Sequence, residues 1–137
     1  MNTQESEFLT ATGPASPMGK LLRRYWLPAL LSSELPEPDG APVRVRLLGE
    51  KLVAWRDSEG EVGLLRESCA HRGASLYWGQ NGKGGLRCWY HGWKFDRTGA
   101  LLETPNEPGD AMKQRVRQPA YPCVEVNGAV WTYMGPP

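Results

Sequence analysis

Cys69-Ala70-His71-Arg72-Gly73 and Cys88-Trp89-Tyr90-His91-Gly92-Trp93-Lys94-Phe95 are the two stretches that decide the reading of this chain. The 137 residues contain three cysteines and two histidines, and these stretches hold both histidines and two of the cysteines. Sixteen residues separate His71 from Cys88. Two loops brought face to face would therefore present two thiolates and two imidazoles to one centre. Zinc accepts such donors, but its usual spacing groups cysteine with cysteine and histidine with histidine. Here each loop mixes them. That order suits a two-iron, two-sulfide centre in which one iron takes both thiolates and the other both imidazoles, each loop supplying one ligand per iron.

Glycine follows both pairs, as Gly73 and Gly92, where the backbone has to turn sharply and aim its amides at sulfur. With these residues the chain resembles the Rieske non-haem iron oxygenases, the ring-hydroxylating and demethylating enzymes. The stretch Pro17-Met18-Gly19-Lys20-Leu21-Leu22-Arg23-Arg24-Tyr25-Trp26-Leu27-Pro28 extends the resemblance to the phthalate dioxygenase-like branch, over about Gly13 to Pro137. One departure is Ala70, where that family usually has proline, which would stiffen the first loop. The resemblance implies a Rieske [2Fe–2S] cluster on Cys69, His71, Cys88 and His91, with Arg72, Gly73, Tyr90, Gly92 and Trp93 around it. It further implies that His91 is the electron exit, facing a carboxylate that leads to the mononuclear iron of a neighbouring subunit.

Size and charge narrow the setting. At 137 residues the chain is about one domain. Sixteen basic and fifteen acidic residues leave a net charge of +1, which gives no reason to expect nucleic acid or an anionic membrane as partner. The opening Met1-Asn2-Thr3-Gln4-Glu5-Ser6-Glu7 is polar and acidic, unlike a secretion signal, and no apolar run reaches membrane-spanning length. One cysteine is left over, which argues against a disulfide framework and suits a reducing, cytoplasmic setting. That cysteine, Cys123, has no second Cys or His near it and reads as a small core residue.

The rest of the chain predicts a mostly β protein: the Rieske fold of small stacked antiparallel sheets, with both ligand loops at hairpin tips, preceded by a short N-terminal helix. Pro17 opens a helix over Met18 to Trp26 whose apolar stripe Leu21, Leu22, Tyr25 and Trp26 reads as packing. Residues 1–42 form this helix and a Pro-rich lead-in, Ser32 to Pro42; residues 43–137 form the cluster domain. Alternation marks strands at Val43–Leu47, Leu52–Trp55 and near Val62 to Arg66, with a turn at Gly49-Glu50. Short strands frame the second loop at Gly84–Arg87 and Trp93–Phe95. Asp96-Arg97-Thr98-Gly99 leads to Leu101–Glu103, and Thr104 to Asp110 reads as a surface loop. Asn127-Gly128, between Tyr121–Val126 and Ala129–Tyr133, is the strongest hairpin signal.

Such a chain is expected to relay single electrons, from an NAD(P)H-linked reductase or a ferredoxin to the mononuclear iron of an oxygenase. With both histidines committed to the cluster, the two-histidine, one-carboxylate site that activates oxygen is not available here. The Val130–Pro137 end, closing on Pro-Pro, reads as a linker into a catalytic domain absent from this chain, in an enzyme whose family forms trimer-based homo-oligomers. The alternatives are a free-standing Rieske ferredoxin and a zinc-binding interaction module. High-potential respiratory Rieske proteins carry a serine and a tyrosine hydroxyl where this sequence has Trp93 and Phe95, so a potential at the low end of the Rieske range is expected. Trp78, Trp89 and Trp93 read first as core, Arg72 and Lys94 as a solvated rim or a docking surface, and Arg44 and Arg46 as the exposed side of a strand. Nothing in the sequence points to a substrate.

Overall fold

The computed structural model describes residues 1–137. In chain order the elements are α1 (Thr3–Thr10), α2 (Pro17–Leu22), β1 (Trp26–Leu31), β2 (Val43–Leu47), β3 (Glu50–Arg56), β4 (Val62–Arg66), β5 (Gln80–Gly82), β6 (Gly85–Arg87), β7 (Lys94–Phe95), β8 (Leu101–Glu103), α3 (Ala111–Arg115), β9 (Ala120–Tyr121), β10 (Cys123–Val126) and β11 (Ala129–Tyr133). The strands form three antiparallel sheets, in the orders β1-β11-β10, β2-β3-β4-β9 and β5-β6-β7-β8. The mostly β expectation, with small antiparallel sheets, holds.

The β2-β3-β4-β9 sheet lies between two cores. Along β3, Leu52 and Ala54 join Val62, Leu64, Val45, Val130, Leu35 and Met134 on one side. The alternate residues Val53 and Trp55 join Leu65, Leu76, Leu86, Phe95 and Leu101 on the other, together with Cys69 and Cys88. Period-two alternation thus feeds both cores from one strand, which explains why the middle residues of β3 and β4 are buried without a break. The two candidate ligand cysteines belong to the core they sit on.

Several turns follow their sequence signals. Asn127 (φ 53°) and Gly128 (φ 78°) form the two-residue hairpin between β10 and β11. Asp96 accepts from the backbone N–H of Thr98 and Ala100 in the turn before β8. The β2–β3 turn is instead Leu48-Gly49, one residue earlier than expected, with Leu47 paired to Glu50. Leu48 holds a left-handed φ of 49° while its side chain packs on the far core and its carbonyl accepts from Arg23.

The N-terminal segment departs most from expectation. Helix α1 is closed by a reciprocal box in which Asn2 and Glu5 bond each other's backbone N–H at 2.9 Å, a signal the polar opening concealed. Helix α2 stops at Leu22 rather than Trp26. Leu27 precedes Pro28, which disfavours helical backbone, and the chain instead enters β1, an edge strand with a bulge between Pro28 and Leu30. The expected packing stripe is outside: Leu21, Tyr25 and Trp26 are exposed, and Arg23 is the buried residue, 7% accessible. Its guanidinium donates to the carbonyls of Thr12, Gly19 and Leu48 and to the Glu50 carboxylate at 2.9 Å. Arg23→Ala removes all four bonds and leaves the half-buried Glu50 carboxylate with the Tyr121 hydroxyl but no cation, so it is expected to cost about 3 kcal/mol in urea unfolding.

Candidate metal centre

The two loops share one backbone ring. In the first, the Cys69 N–H donates to the Ala74 carbonyl at 2.9 Å and the Gly73 N–H returns to the Cys69 carbonyl at 2.8 Å. In the second, the Cys88 N–H donates to the Trp93 carbonyl at 2.8 Å and the Gly92 N–H to the Cys88 carbonyl at 3.0 Å. Each ring therefore runs from a cysteine to the residue five positions on, and each closes through a glycine at φ +77° that other residues would adopt only with strain. The glycine behind each pair, at a matched Cys-to-Gly interval of four, is the sequence signal for this ring. The histidines break the symmetry, since His71 is two residues past its cysteine and His91 three.

The loops are carried differently. The second is the tip of the β6–β7 hairpin, as expected. The first joins two sheets, leaving β4 for β5, and is pinched by a single bridge between Ser68 and Ser75. Its amide at Ala70 donates 2.7 Å to the side-chain oxygen of Gln118, whose side-chain nitrogen donates to the carbonyls of Arg66 and Ser68. Gln118 is fully buried and was not singled out in the sequence. Arg87 braces the second loop, donating 2.8 Å to the Gly92 carbonyl and pairing with Glu103, whose carboxyl it holds below the usual range.

Four candidate ligands converge at this end of the molecule. Cys69 and Cys88 lie in one core cluster, and the rings of His71 and His91 lie 4.8 Å apart, edge to face. The neighbouring Cys69 thiol holds the Cys88 thiol below its usual range, with the N–H groups of Tyr90 and His91 adding to the effect. Cys69 is raised by the neighbouring Cys88 thiol and by burial, against the N–H groups of His71 and Arg72. The His71 imidazole is lowered, first by burial and then by the neighbouring charge of His91. The donors form a thiol pair and an imidazole pair, the sorting that two irons, one on each pair, would take.

Burial divides the pairs. Cys69 and Cys88 are 4% and 3% accessible, whereas both histidines are only half-buried. Trp93 lies against His71, its ring stacked at 4.1 Å and 9°, and its buried indole N–H has no partner within the protein. An unpartnered buried donor in the core cluster that holds both thiols fits a site that receives a sulfide-bearing group. The Tyr90 ring, itself exposed, sits 3.9 Å from His91.

The remaining sequence candidates sort by exposure. Trp93 is core, but Trp78 and Trp89 are exposed near the loops, against the core reading. Arg72 is exposed; Lys94 is buried and donates to the Lys83 carbonyl at 2.9 Å, so it is neither solvated rim nor docking group. Arg44 and Arg46 are exposed as expected, Arg44 over the Tyr77 ring. Cys123 packs against the far core, where burial pushes its thiol up to about 11. No helix is long and apolar enough to cross a membrane.

Comparison with known proteins gives a consistent answer. The chain is 51% identical to the 3-chlorobenzoate-3,4-dioxygenase oxygenase subunit of Comamonas testosteroni, over 97% of this chain and 31% of that protein. It is 47% identical to the phthalate 4,5-dioxygenase oxygenase subunit of Pseudomonas putida, over 99% of this chain and 31% of that one. The chain thus spans about a third of the length of these relatives. A crystal structure of dicamba monooxygenase bound to dicamba superposes with a TM-score of 0.76 at 32% identity, covering 85% of this chain and 36% of that one. The family described as the Rieske [2Fe–2S] domain matches residues 25–122, and with phthalate dioxygenase-like relatives near half identity this chain belongs to that family, as the Rieske part of an oxygenase subunit.

Proposed function

We propose that this chain is the electron-relay domain of a ring-hydroxylating or demethylating oxygenase. It takes single electrons from an NAD(P)H-linked reductase or a ferredoxin and passes them to the mononuclear iron of a catalytic domain, including that of a neighbouring subunit. A Rieske cluster, when bound, supplies one-electron chemistry at a potential raised by its imidazole ligands. The carrying observation is the division of burial: the thiol pair lies in the core and the imidazole pair at the rim.

The residues divide the work. Cys69 and Cys88 would hold one iron in the water-excluded end, with the N–H groups of His71, Arg72, Tyr90 and His91 aimed at their sulfurs to offset negative charge. His71 and His91 would hold the other iron. Trp93 covers one face of His71, which supports His91 as the electron exit. Exposed Arg72, Trp89 and Tyr90 frame that exit and suit a protein partner. Within this reading residues 1–42 are a lead-in that lends β1 to the far sheet, residues 43–137 are the cluster domain, and the setting is cytoplasmic.

Absorption and EPR spectra, with iron and sulfide assayed on the same sample, test the reading. A reduced signal of low average g with about two irons per chain is expected; a colourless protein holding one zinc would sink it. The midpoint potential is a separate expectation. Trp93 and Phe95 are buried and bring no hydroxyl to the loops, so redox titration should give a value near the low end of the Rieske range, about −150 mV. A midpoint well above zero would show that other donors raise it.

A further inference from the structure

We infer that Gln118 is the positioning residue of the first ligand loop, fixing where His71 meets its metal; this rests on the reading of Cys69 and His71 as cluster ligands. Gln118 is 2% accessible and its carboxamide makes three bonds, all to one short stretch of backbone. Two run from Nε2 to the carbonyls of Arg66 and Ser68, at 2.8 and 2.9 Å. The third runs from the Ala70 N–H to Oε1 at 2.7 Å. They span the exit from β4 to the residue between the two ligands, so the side chain acts as a clamp on the loop's entry.

The main chain around Gln118 anchors that clamp. Its own N–H donates to the Gly99 carbonyl at 2.8 Å, and the carbonyl of Pro119 accepts from Arg66 at 2.9 Å. The first loop needs such a brace more than the second, which sits on a sheet hairpin and has Arg87 on its glycine carbonyl. On the first, the Ser68–Ser75 bridge and a long Ser68 hydroxyl bond to the Gly73 carbonyl, 3.3 Å, are what add to its backbone ring. Alanine at 70 leaves that stretch of backbone free to move, and the carboxamide, holding its N–H, restrains it from outside.

The test compares the unmodified, cluster-loaded protein with Gln118→Leu, which keeps much of the volume and removes all three bonds. The reduced EPR signal of the variant is expected to broaden, and iron release to a chelator to quicken about tenfold, the usual scale for losing a group that orients a ligand. Thr132→Val is the control. Thr132 is equally buried and donates to the Pro122 carbonyl at 2.9 Å, away from the loops, so its loss should lower stability without altering the signal. Gln118→Leu with an unchanged signal and release rate, or the same change in both variants, overturns the proposal. Should Gln118→Leu fail to fold, hydrogen exchange of the 67–72 segment in the unmodified protein decides it: a slow Ala70 amide supports the clamp, and free exchange overturns it. Failure of the cluster reading itself would show differently, as an unmodified protein with no Rieske signal.

Discussion

Replacing Cys88 with alanine is expected to give a folded but colourless protein, with iron falling from about two per chain to near zero and no EPR signal on reduction. Cys88 is 3% accessible and belongs to the same core cluster as Cys69, so no surface group is placed to take over its role. The packing loss is that of a small side chain, about 1 kcal/mol. The loss of binding is far larger, because the remaining thiolate and two imidazoles cannot complete both irons. Cys123→Ala is the matched control: that thiol packs against the far core, with the Tyr121 carbonyl 3.7 Å away, and its removal should leave colour and iron unchanged. A Cys88→Ala protein that kept its iron would refute the ligand assignment.

Gly99→Ala is the second large effect expected, and it arises in the backbone. Gly99 has φ +84°, and a Cβ there would stand 2.0 Å from the Gln118 carbonyl oxygen and 3.2 Å from the Ala120 Cβ. The left-handed backbone alone costs about 1 kcal/mol for alanine. The contact has to be relieved by moving one main chain from the other, which also weakens the bond from the Gln118 N–H to the Gly99 carbonyl. Together these are expected to cost about 3 kcal/mol in urea unfolding. Gly109→Ala separates the causes, since Gly109 has φ +79° but nothing within 4 Å of its Cβ position, and only the backbone cost of about 1 kcal/mol applies. Equal losses in the two variants would mean that the crowding at Gly99 is relieved for nothing.

The residues offered to the cluster were legible because the chemistry is local. A thiolate and an imidazole within four residues, twice, leave few other readings, and Asn127-Gly128 likewise names its own turn. The misses depend on partners distant in the chain. Gln118 looks like any loop glutamine until Ala70 and Arg66, 48 and 52 residues away, come to it. Lys94 reads as a rim and Arg23 stands outside the apolar stripe of its helix, yet each is buried where backbone carbonyls and a carboxylate can satisfy it. The stripe on α2 failed for the opposite reason: helical spacing shows that residues share a face, not that anything covers it. At β1, Pro28 hid the strand, because proline is tolerated only at an edge and the sequence does not say which strand will be one.

The middle sheet is a wall between two rooms, and inheritance would feel it. On β3, Val53 and Trp55 answer to the room with the cysteines, while Leu52 and Ala54 answer to the other. Substitutions that alter volume can be compensated by neighbours on the same side of the wall, but hardly through it. The two sides are therefore free to drift as separate lineages of side chains, each remade at its own pace. What they cannot drift in is the count of residues along the shared strand, since a single insertion would send every side chain into the wrong room.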